Sequence, residues 1–391
     1  MSINTFTPTP ADKFTFGLWT LGNTGRDPFG EPTRSPLTPA QIVDAIGQAG
    51  GAFGVNFHDN DLIPLDASDQ ASAQIKSDFR KALRRNKLKI PMATTNLFSD
   101  PVFKDGAFTS NDADIRAYAI QKTMRAMQLG AEFGAKIYVM WGGREGTESD
   151  ATKDPILAVK RYRKAINFLC KYNLDQNFGF KFALEAKANE PRGHIYFAVT
   201  GSYLGFIETL DHPKMVGVNP EFAHENMVGL NFVHHVAQAI EHKKLFHIDL
   251  NDQVMCRYDQ DFRFASNSYK QAFFLVKLLT DTQYRGFKHF DSHAYRQSDH
   301  QDVIEFAKGS MRSYKILEYK TDQFNKDKQI QKLVKLINRD NRKLTSLTNK
   351  FTKKNAAQLL ATNFNRHKLA ERRLPYEELD QLTFDLLMGV R

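Results

Sequence analysis

Short β-rich runs alternate with helix-like segments along most of the chain. The predicted strands are 14–19, 52–58, 90–96, 136–141, 181–187, 215–221, 245–250 and 287–292. Among the intervening segments, 38–50 has Thr38 as N-cap before Pro39, and 110–134 repeats apolar residues at spacings of three and four before a glycine. Eight alternating units within about 320 residues predict an α/β fold, the (β/α)8 TIM barrel. An open doubly wound sheet is disfavoured because neither GxGxxG nor GxxxxGK(S/T) occurs.

The last part of the chain differs from the rest. Residues 319–391 have no clear strand, few glycines and helical pieces at 327–339 and 376–389. They carry 16 Lys and Arg against 8 Asp and Glu, which accounts for +8 of the formal net charge of +10. We predict a barrel catalytic domain at 1–318 and a C-terminal helical arm at 319–391. Because the arm has too few apolar residues for its own core, we expect it to embrace a neighbouring subunit.

Composition narrows the class of protein. The fractions of 41% hydrophobic and 25% charged residues are typical of soluble globular proteins. No apolar run approaches the roughly 20 residues that span a bilayer, and the first residues lack the pattern of a signal peptide. The two cysteines, Cys170 and Cys256, are too few for a disulfide framework and fit a reducing compartment. We therefore expect a cytoplasmic protein without a membrane partner.

Polar or aromatic residues end nearly every predicted strand from the second onward. Chemistry in such barrels sits at the C-terminal ends of the strands, so these residues define a candidate site. Four consecutive strands end in carboxylates, namely Glu185, Glu221, Asp249 and Asp291. Carboxylates gathered in one dry pocket raise each other's pKa, so a cation is needed between them. Oxygen-only ligands suit a hard divalent ion such as Mg²⁺ or Mn²⁺.

A second acidic group follows the seventh predicted strand. Asp259 and Asp261 lie two residues apart in YDQD, and His224 follows Glu221 by three residues in PEFAHE. With Glu221 as a bridge, these side chains predict a second, slightly softer cation site. Two cations that share a carboxylate can clamp two substrate oxygens. A single acidic residue is usually a solvated surface charge, but that interpretation fails for a group at successive strand ends.

Ten stretches resemble the xylose (glucose) isomerase family, in its shorter, actinobacterial-type class. They are FTFGLWT, GRDPFGEPTR, NFHDNDLIP, MATTNLFSDPVFKDGAFTSND, WGGREG, NEPRG, GVNPEFAHENM, KLFHIDLND, YDQDFRF and KHFD. The resemblance covers about residues 12–318 and continues weakly into the tail. It implies a cytoplasmic, usually tetrameric, metal-dependent enzyme that isomerises D-xylose to D-xylulose and D-glucose to D-fructose.

The resemblance also implies a role for each matching residue. One cation site matches Glu185, Glu221, Asp249 and Asp291, and the other matches Glu221, His224, Asp259 and Asp261. They imply two divalent cations per subunit, Mg²⁺, Mn²⁺ or Co²⁺. The catalytic residues are His58 for ring opening, Asp61 to orient it, and Lys187 to hydrogen-bond substrate O1. The sugar site is matched by Trp19, Thr94, Phe98, Trp141 and His224, and by Phe29 donated from a neighbouring subunit.

The implied reaction suits these residue types. A pyranose must open before its carbonyl reacts, and a histidine held in one tautomer can move the proton. Cations polarise O1 and O2, so hydrogen can migrate from C2 to C1 as a hydride. Trp19 and Trp141 are expected to exclude water from that shift. By themselves, two tryptophans and a phenylalanine are more often core than site.

The chain departs from the family pattern at Asn60, Ala186, Ala188, His194 and His293. The family usually has aspartates at 60 and 194, prolines at 186 and 188, and a lysine at 293. Loss of the prolines is expected to loosen Lys187 without removing it. The change at position 293 replaces a fixed charge near the cations by a titratable one, which predicts a shifted pH or metal preference. None of the departures removes a predicted ligand.

Two other functions are considered. A metal-dependent sugar epimerase or an endonuclease-like enzyme could use the same barrel, although epimerases need a carboxylate base on each face of C3. A catalytically impaired barrel with a nucleic-acid-binding tail is suggested by residues 319–370, which have 13 basic and 3 acidic residues. Aromatic residues for base stacking are sparse there, so nucleic acid is not the expected partner.

Overall fold

The computed structural model, which describes residues 6–391, has the predicted barrel. Its strands are β1 (Phe14–Gly17), β2 (Gly54–His58), β3 (Met92–Thr94), β4 (Ile137–Trp141), β5 (Gly146–Thr147), β6 (Lys181–Glu185), β7 (His194–Ile195), β8 (Val216–Val218) and β9 (Lys288–Phe290). Seven strands form one parallel sheet in the order β8-β6-β4-β3-β2-β1-β9. The remaining two, β5 and β7, form a small antiparallel pair. The prediction of an α/β TIM barrel is confirmed.

The barrel closes through a segment that is not a regular strand, so the expected strand at 245–250 is wrong. In the described structure this stretch makes isolated bridges, which are Val218 with Leu245, Glu221 with Asp249, and Asp249 with His289. Pro220 has no N–H to donate to the ladder. The N–H groups of Phe246 and His247 both point at the carbonyl oxygen of Val218, at 3.2 and 3.4 Å. The segment nevertheless links β8 to β9 and completes the ring.

Helices alternate with the strands and continue beyond the last one. They are α1 (Leu18–Leu21), α2 (Pro39–Ala49), α3 (Asp59–Leu62), α4 (Asp69–Asn86), α5 (Ala113–Glu132), α6 (Pro155–Asp175), α7 (Thr200–Ile207), α8 (Phe222–Asn226), α9 (Phe232–Glu241), α10 (Tyr269–Asp281), α11 (His300–Lys326), α12 (Lys328–Ile337), α13 (Arg342–Thr348), α14 (Lys353–Leu360), α15 (Arg366–Ala370) and α16 (Tyr376–Met388). Short 3-10 turns occur at Pro10–Asp12, Pro101–Phe103, Asp150–Thr152 and Pro213–Met215. Within residues 6–391, no helix has the length and apolar character of a membrane span.

The start of α2 follows the predicted capping pattern. The hydroxyl of Thr38 accepts a hydrogen bond from the N–H of Gln41 at 3.3 Å, and Pro39 takes the first helical position. Three one-turn helices lie at strand ends: α1 and α3 begin at the residue after β1 and β2, and α8 begins after residues 219–221, which follow β8. They carry Trp19, Asp61 and His224 at the C-terminal edge of the barrel, so the turn chemistry of the strand ends positions the candidate site.

The chain divides into two compact units, Met1–Leu317 and Glu318–Arg391. Within the second unit, α12 and α16 pack on each other, and Ile330 and Leu386 are buried. The helices predicted at 327–339 and 376–389 are confirmed by α12 and α16. In contrast, α13, α14 and α15 bury no residue, and Leu360 is 88% exposed.

Candidate active site

A cavity of about 160 Å³ lies where the parallel strands end. Its lining consists of Trp19, His58, Met92, Thr94, Phe98, Val139, Trp141, Glu185, Lys187, Glu221, His224, Asp249, Asp259, Asp261 and Asp291. All of the predicted cation ligands are therefore in one cavity. Asp61 lies behind His58, and Phe29 is the one predicted sugar-site residue outside this lining among the described residues.

The acidic wall of the cavity is called the carboxylate cage below. It consists of Glu185, Glu221, His224, Asp249, Asp259, Asp261 and Asp291. Ligand atoms lie within 4.8 Å of one another in three groups, which are Glu185 with Glu221 and His224, Glu221 with Asp259 and Asp261, and Glu221 with Asp249 and Asp291. Glu221 belongs to every group because it follows β8 and is the N-cap of α8. Its carboxylate therefore lies close to all the other cage side chains, and its role as a bridge between two cations stays a prediction.

Burial and mutual repulsion dominate the electrostatics of the cage. Burial raises the pKa of Glu185, Glu221, Asp249, Asp261 and Asp291, and at least one neighbouring carboxylate raises the pKa of each of them further. A buried group whose pKa is raised loses stabilising free energy as it ionises, so the ionised cage opposes folding near neutral pH. A bound cation is the direct way to remove that cost.

Asp259 behaves differently from the other carboxylates. Burial alone would raise its pKa, but His224 and Lys187 together hold the pKa of Asp259 below its ordinary value. The Lys187 ammonium donates to Asp259 Oδ2 at 2.5 Å, and His224 Nε2 lies 3.5 Å from the same oxygen. Burial lowers the pKa of Lys187, yet Asp259 outweighs it and the net shift is upward. Lys187 therefore stays charged inside a largely buried site.

The ligand atoms that the cage offers suit divalent cations. Asp249 Oδ1 and Asp259 Oδ1 are buried and make no well-aligned hydrogen bond within residues 6–391, although His247 Nδ1 lies 3.1 Å from Asp249 Oδ1. Such oxygens are costly unless a cation takes the place of the missing donor. Six carboxylates and one imidazole form an oxygen-rich set that suits Mg²⁺, Mn²⁺ and similar ions.

His58 and Asp61 form a second candidate functional group at the same cavity. His58 Nδ1 lies 2.7 Å from Asp61 Oδ2, which assigns the proton of the neutral ring to Nδ1. Burial lowers the pKa of His58, but Asp61 raises it more, so the net pKa is raised. With Nδ1 engaged, Nε2 is the nitrogen that remains for a substrate.

Aromatic rings form the apolar walls. The Trp19 ring lies 4.4 Å from that of His58, and the Phe98 ring lies 4.7 Å from that of Trp141. Trp19 is also tied to the cage, because its indole N–H donates to Asp291 Oδ1 at 2.6 Å. Lys187 Nζ lies 5.3 Å from the Trp141 ring centre, within cation–π range. Thr94, Met92 and Val139 complete the lining.

Phe29 stands apart from the cavity of its own chain. Its side chain is 99% exposed, in a tight turn closed by the Asp27–Gly30 bridge. The N–H of Phe29 donates to Asp27 Oδ1 at 2.8 Å, which holds the turn in shape. A large apolar side chain held out into solvent by an ordered turn is available for a contact with another molecule.

The family departures lie at different distances from the cage. The loss of prolines has not freed Lys187, which is 5% exposed and bonded to Asp259. His293 is not among the side chains that line the cavity in the described structure. It borders a separate depression with Arg263 and Tyr295, and its N–H donates to the Asp261 carbonyl at 3.0 Å. His293 therefore lies beside the cage without lining the cavity, and the expected shift in pH or metal preference stays a prediction.

Two buried asparagines, Asn219 and Asn251, were not assigned a role from the sequence. Both hydrogen-bond cage carboxylates. Each lies two residues from a ligand, Asn219 from Glu221 and Asn251 from Asp249. Side chains two residues apart on extended backbone share a face, and this spacing is the signal that could have identified them.

Comparisons with known proteins agree on one family. The family model described as xylose isomerase-like TIM barrel matches residues 43–339. The chain is 50% identical to the xylose isomerase of Thermus thermophilus over 386 residues, which are 99% of this chain and 100% of that protein. It is 47% identical to the xylose isomerase of Thermus caldophilus, with the same coverage.

Solved structures of similar fold are more distant in sequence. A D-tagatose 3-epimerase-like protein matches with a TM-score of 0.58 and 13% identity, over 79% of this chain and 99% of that one. A 3-keto-D-glucoside 4-epimerase from E. coli matches with a TM-score of 0.55 and 14% identity, over 75% of this chain and 97% of that one. At such identities the likeness concerns the barrel fold alone.

The electrostatics of the cage predict how a cation changes stability with pH. The raised pKa values mean that the metal-free fold loses stability as pH rises and the cage ionises. We expect the Mg²⁺-induced increase in Tm to be small at about pH 5 and several-fold larger at about pH 7.5. Differential scanning calorimetry of chelator-treated protein, with and without Mg²⁺, measures this. An increase that is equal at both pH values contradicts the expectation.

The variant Asp249→Asn separates the effect of carboxylate repulsion on stability from the effect of cation binding. It removes one repelling charge, so the metal-free Tm at about pH 7.5 should stay equal or rise. The Mg²⁺-induced increase should fall to about half or less, because a lost ligand weakens affinity at least about tenfold. Asp175→Asn, an exposed control, should change neither quantity. A metal-free Tm that drops in Asp249→Asn while the Mg²⁺ response is kept would contradict this account.

Proposed function

The chain belongs to the xylose isomerase family, and on this premise we propose that it converts D-xylose to D-xylulose, and D-glucose to D-fructose. One observation carries the proposal. The His58–Asp61 pair and the charged Lys187 share a cavity of about 160 Å³ with a cage of six carboxylates and one imidazole. Each of three tasks has its own residues: His58 and Asp61 for ring opening, Lys187 for O1 polarisation, and the carboxylate cage for cation binding. All three sets of residues are at the same cavity.

Two divalent cations are proposed as cofactors, Mg²⁺, Mn²⁺ or Co²⁺. Glu185, Glu221, Asp249 and Asp291 would hold one, and Glu221, His224, Asp259 and Asp261 the other. When bound, the cations supply electrophilic assistance at two substrate oxygens, which favours transfer of a hydride from C2 to C1. The orphaned oxygens of Asp249 and Asp259 support this assignment.

His58 is proposed to open the sugar ring. Asp61 fixes the tautomer through the 2.7 Å contact at Nδ1, so Nε2 can exchange a proton with the anomeric hydroxyl or the ring oxygen. Trp19 and Phe98 pack on the imidazole, at ring-centre distances of 4.4 and 5.5 Å, and restrict its rotation. A single histidine in one orientation can then serve successive proton transfers without reorganisation.

Lys187 is proposed to hydrogen-bond O1 of the open sugar. Its charge is maintained by Asp259, and its side chain lies beside Trp141. An ammonium donor at O1 stabilises negative charge that develops there during isomerisation. Trp19, Trp141 and Phe98 would cover the apolar face of the sugar and limit the access of water to the reacting carbons.

A homo-oligomer, a tetramer by family resemblance, is proposed as the working assembly. Its support within this chain is the 99% exposure of Phe29 and the poorly buried helices α13 to α15. In this assembly Phe29 completes the sugar site of a neighbouring subunit, and the 318–391 unit embraces that subunit.

The direct test is the conversion of D-xylose by chelator-stripped protein, before and after addition of Mg²⁺, Mn²⁺ or Co²⁺. We expect turnover only with a cation, and at least about a thousandfold loss of kcat in Glu221→Ala, since this residue bridges both proposed positions. NMR identifies the product. A C3 epimer instead of a ketose would favour an epimerase, and no turnover with any cation would contradict the proposal.

The pH dependence of kcat/KM tests the role of Asp61. Asp61 raises the pKa of His58, so Asp61→Asn should let the pKa of His58 fall. The acid limb of the profile should therefore move to lower pH, with a rate loss of about 10- to 1000-fold from the misoriented ring. The exposed control Asp66→Asn should reproduce the wild-type profile. An acid limb that stays in place would show that His58 does not set it.

Subunit complementation tests the donation of Phe29. Phe29→Ala and Lys187→Met should each be nearly inactive as pure oligomers. In mixed oligomers, the site with an intact Lys187 can receive Phe29 from the Lys187→Met subunit. Random pairing of equal amounts should restore up to about a quarter of the wild-type sites. Mixed oligomers verified by native mass spectrometry that show no recovery would place Phe29 outside the neighbouring site.

A further inference from the structure

Two fully buried asparagines bond to different pairs of cage carboxylates. The Nδ2 group of Asn219 donates to Glu185 Oε2 at 2.9 Å and to Asp249 Oδ2 at 2.7 Å. A second pair, Glu221 and Asp261, accepts hydrogen bonds from the second asparagine, Asn251.

Asn251 bridges the other half of the cage. Its Nδ2 group donates to Glu221 Oε1 at 2.7 Å and to Asp261 Oδ1 at 2.9 Å. A third contact reaches the carbonyl oxygen of Asp291 at 2.8 Å. Both asparagine side chains are 0% exposed, so water does not compete for these bonds from the bulk solvent.

The orientation of each amide is determined by its surroundings. Asn251 Oδ1 accepts from the backbone N–H of Ala223 at 2.8 Å. A backbone N–H can only donate, so the oxygen must face Ala223 and the amino group must face the carboxylates. Asn219 Oδ1 faces His247 Nδ1 at 2.9 Å, and its Nδ2 group faces two carboxylate oxygens, which accept hydrogen bonds from the amino group.

An amide has a specific advantage at these positions. It donates two hydrogen bonds without adding charge, so it orients carboxylates and leaves their negative charge available to a cation. An ammonium or guanidinium would instead neutralise the carboxylates and compete with the cation. The contrast with Asp259 is direct, because Lys187 already neutralises that carboxylate.

We propose that Asn219 and Asn251 are positioning residues for two cation positions that share Glu221, each acting mainly on one of them. Asn219 fixes the Glu185–Asp249 position, and Asn251 fixes the position that contains Asp261 and the bridging Glu221. Each amide occupies one oxygen of each carboxylate it contacts and thereby presents the other oxygen to the cation. The inference rests on the proposed two-cation function and assigns the two affinities to separate residues.

The test measures cation binding without sugar. Full-length, chelator-stripped protein is titrated with Mn²⁺ by calorimetry and with Co²⁺ by visible absorption, and each binding step is fitted. We expect Asn219→Leu to weaken one step by about 10- to 100-fold and Asn251→Leu to weaken the other by a similar factor. Asn251→Leu should also weaken the first step, by a smaller factor, because Asn251 bonds the shared Glu221. His224→Asn identifies which Co²⁺ spectrum belongs to the position with a nitrogen ligand.

Asn56→Leu is the matched control. Asn56 is also 0% exposed within the barrel, but it bonds Thr15, His289 and the N–H of Met92, and contacts no carboxylate. It should lower Tm as the other two variants do while keeping both cation affinities. Asn219→Ala and Asn251→Ala serve if the leucine variants fail to fold, and smaller changes are expected because water can enter the space.

Each outcome decides the inference. A different step weakened most in each of the two variants, with both affinities kept in Asn56→Leu, supports it. Equal weakening of both steps in all three variants means that the asparagines act only through fold stability, and unchanged affinities mean that they do not position ligands. Either result overturns the proposal. If wild-type protein binds two cations with this pattern but does not isomerise xylose, the proposed function fails while this inference stands.

Discussion

Repulsion among buried carboxylates is the interaction on which the arrangement of the rest of the site depends. Five of the six cage carboxylates have a raised pKa because burial and like charge both oppose ionisation. The barrel brings them together because parallel strands end at one edge, and rigid strands cannot relax the crowding by moving apart. A bound cation therefore relieves electrostatic repulsion that destabilises the metal-free fold. The free energy of cation binding and the free energy of folding depend on the same interactions.

The side chains around the cage divide between those that neutralise charge and those that only orient it. Lys187 neutralises Asp259 across 2.5 Å, which leaves that carboxylate ionised despite burial. The amides of Asn219 and Asn251 give hydrogen bonds and no charge. The distinction matters because a cage that was neutralised throughout would have little affinity for cations, and one without donors would have poorly oriented ligands.

Much of this arrangement follows from sequence, and the exceptions have physical causes. The ends of parallel strands meet, so the alternation of strands and helices is enough to group Glu185, Glu221, Asp249 and Asp291. The irregular closure at 245–250 does not follow in this way, because it depends on Pro220 in the partner segment. Asn219 and Asn251 were missed because the sequence does not show whether an asparagine side chain faces solvent or a carboxylate. The role of the exposed Phe29 could not be derived from one chain, because the contact proposed for it is with a second subunit.

The coupling of cage and apolar wall explains how an uncharged sugar can be held by a site with so much charge. Cage electrostatics attract cations, not aldoses, so the sugar depends on aromatic walls and directional hydrogen bonds. Trp19 joins the two systems, because its indole N–H bonds Asp291 while its ring packs 4.4 Å from His58. The orientation of Asp291 thus bears both on the proposed cation position and on His58, the residue proposed to open the ring. A cation held by Asp291 would therefore also influence the aromatic wall proposed to pack against the sugar.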